Sequence, residues 1–285
     1  MKQLLYKTFP IIRTFTSDKL IKSHFFNSKG LQVFRMKLAQ KRYEIRKFKV
    51  KSIYENEYNN FLAKGFLLIP EFLKDNDFQE LRNECYDILK IGEYRKFGRK
   101  DGPNMIYMLD IFSLDLSKYR ALNKLIQNEY INDLFSIMEK RQIKIPNKDI
   151  VVQIQYLVQG DENGTEDPET QLHSDTFFNT HKAWLYLDDV GIENGPFVFV
   201  PKTHNIYIEG RLKREKEYSE NINLKGSRRV SNDELLSLGL HEEVFNCKKN
   251  TLLMANTLGY HRRLRGVSGN DRLTIAFSAR SNPFL

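Results

Sequence analysis

His173, Ser174 and Asp175 stand together in the run QLHSDTFFNT, and a further histidine, His261, lies far downstream in GYHRRLRG. Side chains alternate faces along an extended strand, so His173 and Asp175 point one way and Ser174 the other. Two imidazoles and one carboxylate make a facial triad that leaves positions open on a metal. That ligand set suits non-haem Fe(II) oxygenase chemistry. The expectation is that His261 folds back onto His173 and Asp175 and completes such a site. The same alternation keeps Ser174 out of a Ser-His-Asp triad with its neighbours, and it separates Asp188 from Asp189. A zinc hydrolase would ordinarily bring a helical HExxH pattern, which the chain lacks.

An Fe(II) oxygenase also needs an electron source. A dicarboxylate 2-oxo acid chelates iron through its 1-carboxylate and 2-oxo group. Its distal carboxylate then calls for a planar, two-pronged cation, which arginine supplies better than lysine. Arg272 opens the strand-like run RLTIAFSAR, shortly after His261. Thr274, two residues on, faces the same way and could donate a further hydrogen bond.

These residues need a scaffold. Tyr54 to Ala63 reads as a helix, GFLLIPEF as a strand, and DNDFQELRNECYDILK as a helix with an acidic start. Residues 92–104 read as a loop and 117–140 as one helix. The pattern then changes to period two. Strands are predicted at 150–158, 183–190, 197–201, 251–256, 259–266 and 272–280, with a turn-rich loop at 160–170. Short strands in series after a helical portion argue an α+β fold with a mainly β core, its sheet closed into a barrel or sandwich. Residues 205–246 are polar and charged, and a lid-like insertion over one mouth of the sheet is expected there. There is no internal repeat.

The chain has 285 residues, 41% of them hydrophobic and 12% aromatic, enough to bury a sizeable core. No apolar run approaches the ~18 residues of a membrane-spanning helix, and no secretory signal is evident. Two cysteines, Cys85 and Cys247, suggest free thiols in a reducing, cytoplasmic setting. The net charge of +9 is unevenly spread. Residues 1–51 carry 14 lysines and arginines against Asp18 and Glu44, whereas the remainder is slightly acidic. A basic N-terminal extension (1–51) is therefore separated from a domain at 52–285. A basic helix is expected around 31–48. It either packs on the core or makes a peripheral contact with an anionic membrane surface. Removing residues 1–50 is expected to leave iron binding intact.

The motifs, in order, resemble the phytanoyl-CoA dioxygenase (PhyH-like) family of Fe(II)/2-oxoglutarate-dependent oxygenases over roughly 60–280. They are AKGFLLIPEFLKDNDFQEL, LHSDTFF, AWLYLDDVGIENGPFVFVPKTHN and YHRRLRG…NDRLTIAFSAR. The resemblance implies a double-stranded β-helix (jelly roll, cupin-like) with buttressing helices. It implies iron held by His173, Asp175 and His261, and 2-oxoglutarate held by Arg272, with Trp184 beside it and Gln155 on the preceding strand. With O2, the cosubstrate would end as succinate and CO2 while a substrate is hydroxylated. The family often has a small hydroxyl residue where this chain has Arg263, so either Thr274 compensates or Arg263 acts near the site. His204, in the VPKTHN turn, reads as structural. Arg211, Lys213, Arg214, Lys225, Arg228 and Arg229, with Arg262, Arg263 and Arg265, suggest a small anionic substrate, and Arg263, Arg228 and Arg229 are the residues proposed to touch it. Two alternatives stay open: a non-catalytic binding protein, and an oxygenase acting on a nucleic acid or other macromolecule. A nucleic-acid partner is disfavoured because the domain is slightly acidic. Oligomeric state is not legible.

Overall fold

The computed structural model describes residues 15–161, 165–221 and 228–284. The apolar clusters before residue 15, and Lys225, lie outside the described residues. Two short helices open the described chain, α1 (His24–Ser28) and α2 (Leu31–Glu44). Helix α3 (Glu55–Lys64) leads into strand β1 (Phe66–Ile69), and α4 (Asp75–Ile91) follows. Asp75 and Asp77 in its first turn complement the positive end of the helix dipole.

The expected loop at 92–104 is instead the start of a hairpin, β2 (Gly98–Asp101) with β3 (Asn104–Asp110). The expected helix over 117–140 is two, α5 (Arg120–Ile126) and α6 (Glu129–Glu139). Asn128 breaks them: its side chain accepts from the Ile131 amide and caps α6.

The strands after these helices are β4 (Ile150–Val158), β5 (His173–Ser174), β6 (His181–Tyr186) and β7 (Phe197–Phe199). The insertion at 205–246 carries α7 (Arg211–Glu220), β8 (Arg228–Arg229), α8 (Asn232–Ser237) and β9 (Glu243–Val244). Strands β10 (Leu252–Asn256), β11 (His261–Arg263) and β12 (Arg272–Ala279) complete the fold. Two antiparallel sheets result. The larger runs β1-β10-β6-β12-β4-β3-β2 and the smaller β8-β5-β11-β7-β9. This is the double-stranded β-helix with buttressing helices that the motifs implied. The insertion contributes both edge strands of the smaller sheet.

Alternation decides which face each residue serves. Leu273, Ile275 and Phe277 of β12 join Ile154, Leu185 and Met254 beneath α3 to α6 in the main core. Removing a ring such as Phe277 from it would cost roughly 3–5 kcal/mol. The opposite face, with Arg272, Trp184 and Tyr186, looks toward the smaller sheet, where Phe197, Phe199 and Phe245 form a second cluster. The functional residues therefore lie between the sheets.

His204 is structural. Its Nε2 lies 3.1 Å from the Leu62 carbonyl, and burial pushes the imidazole down to about 4. The unfolded chain then binds more protons than the native one between about pH 4 and pH 6.5. Native stability is expected to fall as pH drops through that window. His204→Asn should flatten the dependence, as read from urea midpoints at pH 5 and pH 7.

The described part of the N-terminal segment, from residue 15, packs on the domain, one of its two expected arrangements. Met36 and Ala39 of α2 join Phe177, Phe178 and Phe284 in one apolar cluster. Arg35, 0% exposed, places its guanidinium 4.5 Å from the Phe177 ring centroid and donates to the carbonyls of Phe15 and Lys19. Removing residues 1–50 would uncover rings two and three positions beyond Asp175. We expect that deletion to lower the melting temperature and weaken metal binding, the reverse of the expectation from sequence. Thermal unfolding and metal titration of the truncated chain decide it.

Candidate metal centre

The register of β11 on β5 places His261 directly opposite His173, with ring centroids 4.5 Å apart. Asp175 follows β5, and its amide donates to the Thr257 carbonyl. One ligand atom each from His173, Asp175 and His261 lies within 4.8 Å of the others. Asp175 Oδ1 is 3.6 Å from His173 Nε2 and 3.5 Å from His261 Nε2. Ser174, pointing the other way, donates its hydroxyl to the Leu258 carbonyl.

The surroundings prepare these three groups for a cation. His173 Nδ1 sits 2.8 Å from the Gln171 carbonyl, and His261 Nδ1 2.8 Å from that of Gly259. Each Nδ1 therefore carries the proton, and each Nε2 presents its lone pair inward. Gly259 is required for this approach, because a Cβ there would fall 2.4 Å from Phe199. Burial pushes the His261 imidazole down, against Asp175, and favours the neutral ligand form. For Asp175 burial opposes charge, but Lys182 and the histidines prevail and hold its carboxyl well below the usual range. Lys182 Nζ reaches Asp175 Oδ2 at 2.7 Å, so the two carboxylate oxygens have different tasks. Two neutral imidazoles and a carboxylate fit Fe(II).

His173 and His261 line a cavity of about 270 Å³, together with Arg272, Trp184, Gln155 and Arg263. Arg272 donates to the Gly195 carbonyl at 2.5 Å, and among the described residues no carboxylate pairs with it. Gly195 has φ +66°, and a Cβ would strike the Leu264 carbonyl. Burial, opposed by Tyr186, pulls the Arg272 guanidinium down to about 10, so it stays charged at neutral pH. The surface it keeps faces the cavity it lines. The Trp184 ring packs against Phe197 in a tilted arrangement, 4.8 Å between centroids.

Other proposed residues fare differently. Thr274 is buried, lies 3.5 Å from the Gln155 carbonyl and does not line this cavity. Arg263 lines it but is bound to Asp167 at 2.6 Å. Arg228 and Arg229 lie outside it. Arg228 pairs with Glu234 at 2.6 Å, and Arg229 donates to the Pro168 carbonyl. Arg262 pairs with Glu242, and Arg211 donates to the Leu258 carbonyl. Sequence reading missed several polar groups in the cavity, Lys182, Tyr186 and Glu169 among them. Lys182 and Tyr186 flank Trp184 at strand spacing, so alternation could have found them. Glu169, whose Oε2 is 3.6 Å from His173 Nε2, had no periodic signal to reveal it.

A jelly roll with a His-Asp-His triad and an enclosed arginine defines the iron- and 2-oxoglutarate-dependent oxygenases. A family model, Phytanoyl-CoA dioxygenase (PhyH), matches residues 61–234, and the chain belongs to that family. No curated protein matches it in sequence. Among solved structures it is similar to the non-haem epimerase SnoN from nogalamycin biosynthesis. In the SnoN complex with Fe3+, α-ketoglutarate and nogalamycin RO, identity is 14%, coverage is 81% of this chain and 87% of SnoN, and the TM-score is 0.55. Another SnoN structure gives a TM-score of 0.52 at 14% identity, covering 81% and 83% of the two chains. At that identity the likeness concerns the fold. No helix among the described residues is long and apolar enough to cross a membrane.

Proposed function

We propose that the protein is an Fe(II)- and 2-oxoglutarate-dependent hydroxylase of a small molecule. The observation that carries the reading is Arg272, an enclosed guanidinium without an acidic partner among the described residues, lining the same cavity as the two ligand histidines. An unpaired cation in such a place favours a carboxylate ligand. His173, Asp175 and His261 would hold the iron, and Arg272 the distal carboxylate of 2-oxoglutarate. With O2, a centre loaded with iron would supply the oxidising power, with 2-oxoglutarate as the electron source. The chain's residues do the rest. Lys182 holds Asp175 Oδ2 and leaves Oδ1 toward the metal, and Trp184 and Phe197 wall the cosubstrate from water.

An anionic substrate finds less support than the arginine count suggested, because Arg228, Arg262 and Arg263 are each matched by a carboxylate. Succinate formation across a panel of neutral and anionic metabolites tests the reading. A chain that binds neither Fe(II) nor 2-oxoglutarate would overturn it. Product analysis separates hydroxylation from epimerisation, the activity of SnoN. The exposed side of α1 and α2 presents Phe25 (66%) and Phe34 (55%) among lysines, which supports a peripheral contact with an anionic surface. Sedimentation with phosphatidylglycerol vesicles, compared with phosphatidylcholine, tests it, and equal binding to both would count against it.

A further inference from the structure

The metal triad is divided between two chambers. Its histidines line the cavity of Arg272, whereas Asp175, Thr176 and Phe177 line a second cavity of about 290 Å³. Much of the second wall comes from outside the segment that matches the PhyH family. Ile21, Gln32 and Met36 of the N-terminal segment face Glu215 and Tyr218 of α7, with Arg228 beside them. We propose that this second cavity is the substrate chamber, and that it takes an uncharged, hydroxyl-bearing molecule with an apolar body. The proposal rests on the oxygenase reading above, which alone gives a ligand in this place something to react with.

Position comes first. A substrate must reach the metal without displacing the cosubstrate, and the second cavity touches the triad through a residue the cosubstrate cavity does not use. Polarity sets the class. Arg228 Nε and Glu215 Oε1 face each other as an ion pair at 3.6 Å, and Lys182 faces Asp175 Oδ2, which leaves Gln32 Nε2 as the buried wall donor without a hydrogen-bond partner among the described residues. A ligand hydroxyl can accept from that amide without bringing a charge into the chamber. Gln32 is 4% exposed and Arg228 7%, so neither is a solvated surface group. Charge excludes the alternative. Arg228 is matched by Glu234 at 2.6 Å, Arg280 by Asp18 at 3.0 Å and Asp175 by Lys182 at 2.7 Å. An ionic ligand would find no unmatched arginine in this wall, and Lys19 and Lys22 are exposed at its rim. Ile21, Met36 and Phe177 provide the apolar contact.

The test uses the full chain and two probes with the same alkyl body: octyl glucoside, kept below its micellar concentration, and octyl phosphate. Binding is read by calorimetry on metal-free protein, and by the change each probe causes in the visible spectrum of the anaerobic Fe(II)/2-oxoglutarate complex. Octyl glucoside is expected to bind at least tenfold more tightly than octyl phosphate and to perturb the spectrum. Met36→Trp, which fills the chamber, should weaken it at least tenfold, with Fe(II) and 2-oxoglutarate binding retained. Gln32→Leu serves the same purpose should the larger side chain prevent folding. Preference for octyl phosphate, or binding that neither variant changes, would overturn the proposal. So would no binding by either probe to a chain that still takes up Fe(II) and 2-oxoglutarate. Failure to bind Fe(II) and 2-oxoglutarate would instead overturn the oxygenase reading.

Discussion

Replacing Arg272 with leucine should raise the 2-oxoglutarate concentration for half-maximal turnover by about 100- to 1,000-fold, with Fe(II) affinity changed only a few-fold. A desolvated, two-pronged charge pair loses about 2–5 kcal/mol when one partner is removed, and each 1.4 kcal/mol is tenfold in affinity. Arg272→Lys keeps the charge but not the fork and should fall between. A second measurement separates cosubstrate binding from structure. Without 2-oxoglutarate, Arg272 is an enclosed cation whose hydrogen-bond partner among the described residues is the Gly195 carbonyl. Arg272→Leu should therefore leave the melting temperature of the free protein unchanged or higher. It should also abolish the stabilisation that added 2-oxoglutarate gives the parent. A large loss of stability in the free variant would show that Arg272 chiefly holds the fold.

Asp175→Ala should remove measurable turnover and weaken Fe(II) binding by more than the ~10- to 100-fold typical of losing an outer partner of a metal ligand. The reason is electrostatic as well as coordinative. Asp175 is the one anion of the triad and is paired with Lys182 at 2.7 Å. Its removal deletes a ligand and leaves an ammonium facing the site. The double variant Asp175→Ala/Lys182→Met should recover roughly tenfold of the lost metal affinity, because it removes that repulsion. It should recover no turnover. Isothermal titration with Fe(II) under anaerobic conditions, or with Mn(II) as a stand-in, measures both steps. Equal affinities for the single and double variants would rule out the charge argument.

The chemistry was more legible than its setting. His-x-Asp on a strand, a late histidine and an arginine opening the last strand depend on alternation, and alternation is a local property of sequence. Lys182 and Tyr186 were equally readable from Trp184. Strands β8 and β9 have two residues each, too short for any period to register, and the hairpin of β2 and β3 escaped because its charged, glycine-bearing start reads as a loop. The arginines of the insertion misled because charge is visible in a sequence and pairing is not: Glu215 and Glu234 neutralise Arg228 only after the chain has folded. For the N-terminal segment, packing on the core was one of two expectations left open, and the sequence pattern did not decide between them. Helix α2 buries Gln32 and Arg35 and exposes Phe34, the inverse of the pattern that marks a packed helix. Its partners are the rings of Phe177 and Phe284, which receive a guanidinium, so the inward face did not need to be apolar.

The pairing of His261 with His173 also bears on cohesion. Strand β5 has only two residues, and β11 has three. A cation held by both histidines and Asp175 would clasp the centre of the smaller sheet, joining segments far apart in the chain. Whatever binds the native state and not the unfolded one shifts the equilibrium toward folding, by about 2.7 kcal/mol at a hundredfold excess over its dissociation constant. The iron is then a fastener as well as a reagent. Depleting it should loosen β5, β8 and β11, seen as faster amide exchange there than in β12. The cell's supply of metal would thereby set the lifetime of the protein as well as its rate.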